Sequence, residues 1–152
     1  MAERIRTHDW PASPLGSLDA WPQSLRSAVD LMLASPTPVA ILWGVDRVQL
    51  YNDAYKAVAA ERHPAALGRP AAENWGEAYE EFLRPILDRV FAGETVTVDE
   101  HAVMLRTPRG TDEKRFFTGS FIPLHSKAGT VLGAFHPLTE VTAKVRSDAR
   151  AL

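Results

Sequence analysis

The period of the apolar positions changes several times along this chain, and each change marks an element. Between residues 23 and 34, Leu25, Ala28, Val29, Met32 and Leu33 fall at i, i+3, i+4, i+7 and i+8, the stripe of an amphipathic helix. Pro22 suits its first turn, where a missing N–H costs nothing, and Ser35-Pro36-Thr37-Pro38 ends it, because a residue before proline resists the α region. Two short apolar runs follow, residues 39–43 and 48–51, split by Gly44-Val45-Asp46-Arg47. They predict a β-hairpin. Asn52-Asp53 then opens a short helix over 54–59. Residues 61–74, with Pro64, Gly68 and Pro70, predict a loop carrying one or two helical turns. Tyr79, Phe82, Leu83, Ile86, Leu87, Val90 and Phe91 return to helical spacing, with Gly93 placed to cap the end. Pro85 inside that pattern either kinks the helix or starts its second half.

Three strands are predicted after it, over 96–105, 115–124 and 131–138. Thr107-Pro108-Arg109-Gly110 and Ser126-Lys127-Ala128-Gly129 form the turns between them. With the opening hairpin they make a five-stranded antiparallel sheet in an α+β chain. Phe117 and Phe121 face one way while Phe116 and Ile122 face the other; Val131 and Phe135 oppose Leu132 and Leu138. Both faces therefore need cover. The internal helices take one face, and the helix at 23–34 or a partner subunit takes the other.

Composition narrows the classes. At 152 residues the chain has room for one domain with its own core. Its 17 basic and 19 acidic residues give a net charge of −2, which does not favour a nucleic-acid partner. Cysteine is absent, which excludes disulfides, thiolate metal sites and cysteine nucleophiles. No apolar run approaches the roughly 18 residues that span a membrane, and residues 1–16 hold no signal-peptide core. A cytoplasmic location is expected. Residues 1–36 divide into a polar arm anchored by Trp10 and Trp21 and the amphipathic helix; residues 37–142 form the core, and 143–152 begin an outgoing helix.

The order strand, strand, short helices, longer helix, three strands resembles the PAS fold, over roughly residues 37–142. Local pieces also resemble the N-terminal PAS-like segments of bacterial sensor histidine kinases, hybrid kinases included. They are Asp9-Trp10 with Pro14-Leu15-Gly16, Trp21-Pro22-Gln23-Ser24-Leu25, Leu42-Trp43-Gly44, Tyr51-Asn52-Asp53-Ala54-Tyr55, His63-Pro64-Ala65-Ala66-Leu67-Gly68, and Thr139-Glu140-Val141-Thr142. The last resembles the acidic-x-Thr element that joins a PAS core to its signalling helix. The resemblance implies a non-enzymatic signal-input module of a two-component type of system, with Thr139, Glu140 and Thr142 as the relay. It also implies a homodimer and an adjoining output domain or kinase. Bottom-up, Thr139 is the expected N-cap of that helix and Glu140 lies in its first turn. Val141, Val145 and Leu152 share one side, but Asp148 interrupts a heptad. These 152 residues contain nothing resembling a phosphoacceptor helix or an ATP-binding domain, so a kinase is expected on a separate polypeptide or elsewhere in a longer protein.

The absence of cysteine excludes a flavin–cysteinyl adduct and a thioester-linked chromophore. Haem is not expected, because the long helix carries no histidine and His101 and His136 fall on strands. A metal at Asp99 and His101 has too few ligands, with Glu100 on the opposite strand face. No nucleophile elbow surrounds Ser120 and no phosphate-cradling glycine loop is present, so no catalytic residue is assigned. The remaining candidate is a small-molecule pocket between sheet and helices, its ligand or cofactor unknown. Trp43, Tyr51, Tyr55, Trp75, Tyr79, Phe82 and Ile86 are expected to supply apolar wall, and Asn52, Thr118, Ser120 and His136 polar handles. Two alternatives stand beside it: a ligand-free dimerisation module whose aromatics fill the core and whose Asn52 only caps a helix, and a cone-shaped α+β binding or enzymatic domain.

Overall fold

A computed structural model describes residues 1–151; of the positions weighed above, Leu152 lies outside them. Among the described residues, five strands form one antiparallel sheet: β1 (Val39–Trp43), β2 (Val48–Tyr51), β3 (Val96–Arg106), β4 (Asp112–His125) and β5 (Val131–Glu140), in the order β2-β1-β5-β4-β3. The helices are α1 (Ala2–Thr7), α2 (Gln23–Ala34), α3 (Lys56–Ala59), α4 (Ala71–Trp75), α5 (Arg84–Phe91) and α6 (Thr142–Ala151).

β1 is buried at every position because both of its faces are covered. Ala40 and Leu42 share one face with Gln49 and Tyr51 of β2, and with Ala134 and His136 of β5, as the pairing register requires. Val39, Ile41 and Leu50 face the other way, into the cluster that holds Leu25, Ala28, Val29 and Met32 of α2. Helix α2 thus lies back on the sheet of its own chain. Each of its larger buried side chains contributes about 1.5–3 kcal/mol. On the first face, Ile86, Leu87 and Val90 of α5 pack with Leu42, Val96, Phe121 and Ala134.

The N-terminal arm packs on the domain. Trp10 and Trp21 meet edge to face at 4.8 Å, and their indole N–H groups donate to the Ile5 and Gly16 carbonyls. The arm seals the β2 edge through the segment that pairs with it. Gly68 donates to the Gln49 carbonyl and sits at φ 80° with His8 close over its Cα, a backbone position that favours glycine.

Pro85 accounts for an irregularity the apolar period does not reveal. Residues Tyr79–Leu83 form a π-helical turn, with the Arg84 N–H donating to the Tyr79 carbonyl. The regular helix starts at Arg84 with Pro85 in its first turn, because proline has no N–H for the i−4 carbonyl. Two expectations need correction. Thr139 does not cap the outgoing helix: Thr139 and Glu140 are still in β5, and α6 begins at Thr142. The simple alternation assumed for Asp99-Glu100-His101 is also broken, by a β-bulge between Val98 and His101 with Glu100 at φ 48°.

One side chain joins these layers. Asn52, 2% exposed, accepts at Oδ1 from the N–H groups of Val39 and Tyr55, each at 3.1 Å. Its Nδ2 donates to the carbonyls of Met32 at 3.0 Å and Thr37 at 2.9 Å, with a longer contact to Ser35. Asn52→Ala should destabilise the fold by about 3 kcal/mol in chemical denaturation, because it strands buried donors and acceptors together. Asn52→Asp keeps the shape but turns a carboxylate toward three carbonyls. It should lose at least as much; near-native stability would mean that the amide's donors do not matter.

Candidate functional site

Between the inner sheet face and α3, α4 and the π-helical turn lies a cavity of about 350 Å³, in the range of small-ligand sites. Leu42, Val98, Phe117, Phe121 and Leu138 supply apolar wall from the sheet, and Trp75, Phe82 and Leu83 from the helical side. Small residues leave it room on the sheet side, where Ala40 and Gly119 line it. Gly119 answers to a close approach, since a Cβ there would sit 2.8 Å from the Pro137 carbonyl oxygen.

Four of the sequence-predicted pocket residues line this cavity: Tyr55, Trp75, Phe82 and His136. The other seven lie elsewhere. Trp43 packs against Gly133 on the opposite sheet face. Tyr51 is on the inner face, but its hydroxyl is 2.7 Å from His63 Nδ1, and burial pushes its pKa up to about 12. Asn52 is occupied as described. Tyr79 accepts from Arg47 at 3.2 Å, and Ile86 packs under the sheet. Thr118 Oγ1 accepts from the Glu100 N–H in the bulge, and Ser120 Oγ lies 3.2 Å from Thr97 Oγ1. Both point away from the inward pair Phe117 and Phe121.

Gln49, Arg62 and His101 also line the cavity; the sequence raises His101 only as a haem or metal ligand and places none of the three in the pocket. The bulge explains His101: it resets the alternation so that Val98 and His101 both face inward. Gln49 had a signal, as a polar residue inside the apolar run of β2. It is almost fully buried, and its Oε1 accepts from Trp75 Nε1 and Asn74 Nδ2, both at 3.0 Å. Because an indole N–H only donates, Trp75 fixes which end of the Gln49 amide is oxygen. Gln49 Nε2 is then directed to the Tyr55 hydroxyl at 3.3 Å. Burial, opposed by this bond and by nearby Arg62, raises the Tyr55 pKa and keeps the phenol protonated. Arg62 stacks on Trp75, its guanidinium 4.4 Å from the ring, and spends Nε on the Asn74 carbonyl at 2.8 Å.

Two histidine–phenylalanine stacks face the cavity: His136 on Phe121 and His101 on Phe82, each with centroids 3.7 Å apart. His136 Nδ1 lies 2.8 Å from the Ser120 carbonyl, so Nδ1 carries the proton and Nε2 is an acceptor. Burial drives the His136 pKa down to about 4, against the pull of that carbonyl; burial also lowers His101. Among the described residues, no group of three or more histidine, aspartate or glutamate side chains is placed to hold a metal, and no helix is long and apolar enough to cross a membrane.

Thr139, Glu140 and Thr142 lie beside the strand segment that carries Phe116 and Phe117. Phe117 faces the cavity, while the backbone of its neighbour Phe116 holds the start of α6. Its carbonyl accepts from Val141 N–H at 2.7 Å and its N–H donates to Thr142 Oγ1 at 3.0 Å. Thr142 Oγ1 in turn donates to Glu140 at 2.7 Å, and Glu140 pairs with Arg115 at 3.3 Å. Thr139 stands opposite Thr118 in the β4–β5 ladder.

The family model described as PAS fold matches residues 34–146. Among solved structures, the PAS domain of Bordetella pertussis BvgS aligns with TM-score 0.62 at 21% identity, over 86% of this chain and all of that one. An RNA-binding light-oxygen-voltage receptor aligns with TM-score 0.56 at 17% identity; 87% of this chain is covered but only 37% of the receptor's. A sensory box sensor histidine kinase from Vibrio cholerae aligns with TM-score 0.52 at 18% identity, over 79% and 93% of the two chains. No curated protein sequence matches significantly.

The low pKa of His136 has a consequence for stability. A histidine near 4 when folded and near 6.5 when unfolded binds its proton first in the unfolded chain. Its contribution is complete above about 6.5 and is lost as pH falls toward 4. The loss should be on the order of 2 kcal/mol, less than the full shift implies because one edge of the ring borders open cavity. Denaturation midpoints of wild type and His136→Gln measured across this window should converge as pH falls; parallel curves would show that His136 does not titrate this way.

Proposed function

Because the chain belongs to the PAS family, we propose that it is a cytoplasmic signal-input module: a small molecule occupies the cavity, and α6 carries the change to an adjoining output domain, a histidine kinase being the natural candidate. The observation that carries this reading is the cavity, with Ala40 and Gly119 in its sheet wall yet furnished with oriented polar groups. A core evolved only for packing fills such space, since interiors pack nearly as densely as organic crystals. The sensor kinase among the structural neighbours supports the output side of the proposal.

The proposed route is short. A ligand pressing on Phe117 shifts the peptide it shares with Phe116, whose carbonyl holds the Val141 N–H, and with it the Phe116 residue whose own N–H holds Thr142 Oγ1. Ligand binding then redistributes α6 between docked and released positions, as any ligand with different affinity for two states must. The buried Thr142 bond dominates this junction. The ion pairs Lys144–Glu100 and Arg146–Glu113 are largely exposed and screened by solvent, so they contribute little.

A second reading, a ligand-free homodimerisation module, is favoured by apolar side chains left outside: Leu31 at 63% exposed, Met104 at 58% and Ile122 at 38%. The folding back of α2 occupies one of the two surfaces such a dimer would use, leaving the outer face of β3 and β4.

Native mass spectrometry of the purified chain against its denatured mass separates the readings. Excess mass that disappears on denaturation is expected. A clean apo mass with a dimer peak, and no stabilisation by any compound in a broad thermal-shift screen, would overturn the ligand reading. For the relay, Thr142→Val should raise amide hydrogen exchange in α6 roughly fivefold, the value of one hydrogen bond of about 1 kcal/mol, without changing exchange in β1 and β2. Unchanged α6 exchange would remove Thr142 from the route.

A further inference from the structure

The polar groups left unspent around the cavity divide by kind, and the division describes a ligand. At one corner every available group donates. The Tyr55 oxygen already accepts from Gln49 Nε2, and its own O–H has no acceptor among the described residues. The second Nε2 hydrogen of Gln49 is likewise unspent, since the Gln49 amide is oriented by Trp75 and Asn74. Arg62 uses Nε on a backbone carbonyl and keeps its Nη donors. It forms no ion pair among the described residues, and no aspartate or glutamate lines the cavity. The half-buried guanidinium, stacked on Trp75 with no counter-ion among the described residues, and the unspent donors beside it together suit an anion.

The sheet wall offers the complement. His136 spends its proton on the Ser120 carbonyl, and its Nε2, an acceptor that no protein group meets among the described residues, borders the cavity. Flat surfaces flank the space, since each histidine lies parallel to a phenylalanine, at interplanar angles of 8° and 3°. At about 30 Å³ per water-sized unit, a volume of about 350 Å³ holds on the order of a dozen heavy atoms.

We propose that the cavity takes a small planar aromatic carboxylate, its anion at the Tyr55–Gln49–Arg62 corner and a ring N–H directed to His136 Nε2. This rests on the reading of the cavity as a ligand site and adds the chemical class. A carboxylate accepts from a guanidinium, a phenol and an amide together, and such charge-assisted bonds are the stronger ones. The neutral amide of the same shape brings two donors where the corner supplies only donors.

Calorimetric titration of the full chain with indole-3-acetate and with indole-3-acetamide tests this directly. The acid is expected to bind at least about tenfold more tightly than the amide. Arg62→Gln should remove that preference by weakening the acid and leaving the amide unchanged. Tyr55→Phe, which keeps the ring, should weaken the acid about threefold to tenfold, and supplies the test if Arg62→Gln does not fold by circular dichroism. Equal binding of acid and amide, or binding of neither, overturns the proposed class. A neutral molecule released from the purified protein on denaturation overturns it while leaving the cavity reading intact. The cavity reading itself falls only to the empty-mass and screening result described above.

Discussion

The Asn52 side chain is the constraint on which the rest of the structure depends. It holds the C-terminal end of α2, the first residue of β1 and the turn into α3 at one buried point. Only a primary amide serves there, because the site needs an acceptor toward two N–H groups and donors toward carbonyls. Its effects reach both layers. On the outer side it fixes where α2 ends, and so where that helix lies over Val39, Ile41 and Leu50. On the inner side it holds the Tyr55 N–H, which sets the residue whose phenol reaches the cavity. The β2–α3 junction is thus the hinge of the site as well as of the fold.

Inside the cavity the two histidines act as aromatic surface, and magnitudes decide this. A protonated ring over phenylalanine gains about 2 kcal/mol at best from cation–π attraction, while taking a charge out of water costs several kcal/mol. Desolvation wins, so His136 and His101 are neutral, flat and stacked. The charge in the lining is concentrated at Arg62, where a water-accessible edge and the Trp75 face make a cation tolerable. An apolar slab with one cationic corner would orient a bound molecule.

The sequence showed most of the frame because its punctuation is strong. Helix α2 runs from Gln23 to Ala34, the bounds set by Pro22 and by Ser35-Pro36, and β1 and β2 match their apolar runs on either side of Gly44. The π-helical turn before Pro85 was not legible, since apolar period does not distinguish a widened turn from a kink. Nor was the bulge at Asp99-Glu100, which has no glycine or proline to mark it and holds Glu100 at positive φ through Thr118. That one irregularity hid His101. Thr118 and Ser120 could have been excluded from the cavity by alternation alone, because Phe117 and Phe121 already claimed the inward positions. Arg62 had no local signal: its role depends on Trp75 and Tyr55, brought to it by the fold.

The junction with α6 shows why this architecture suits signalling. The sheet is held by long ladders, β3 with β4 and β4 with β5, and its cooperative loss costs most of the stability of the domain. The start of α6 hangs on the Phe116 backbone and the Thr142 hydroxyl, about 1 kcal/mol per hydrogen bond, with exposed ion pairs adding little. A ligand that favours one state by 1.4 kcal/mol changes a population ratio tenfold. That amount is negligible against the ladders and decisive against the anchor. Phe116 and Phe117 place the anchor and the cavity on adjacent residues of one strand, with opposite faces. The stiff sheet between them gives a ligand little to deform except the grip on α6.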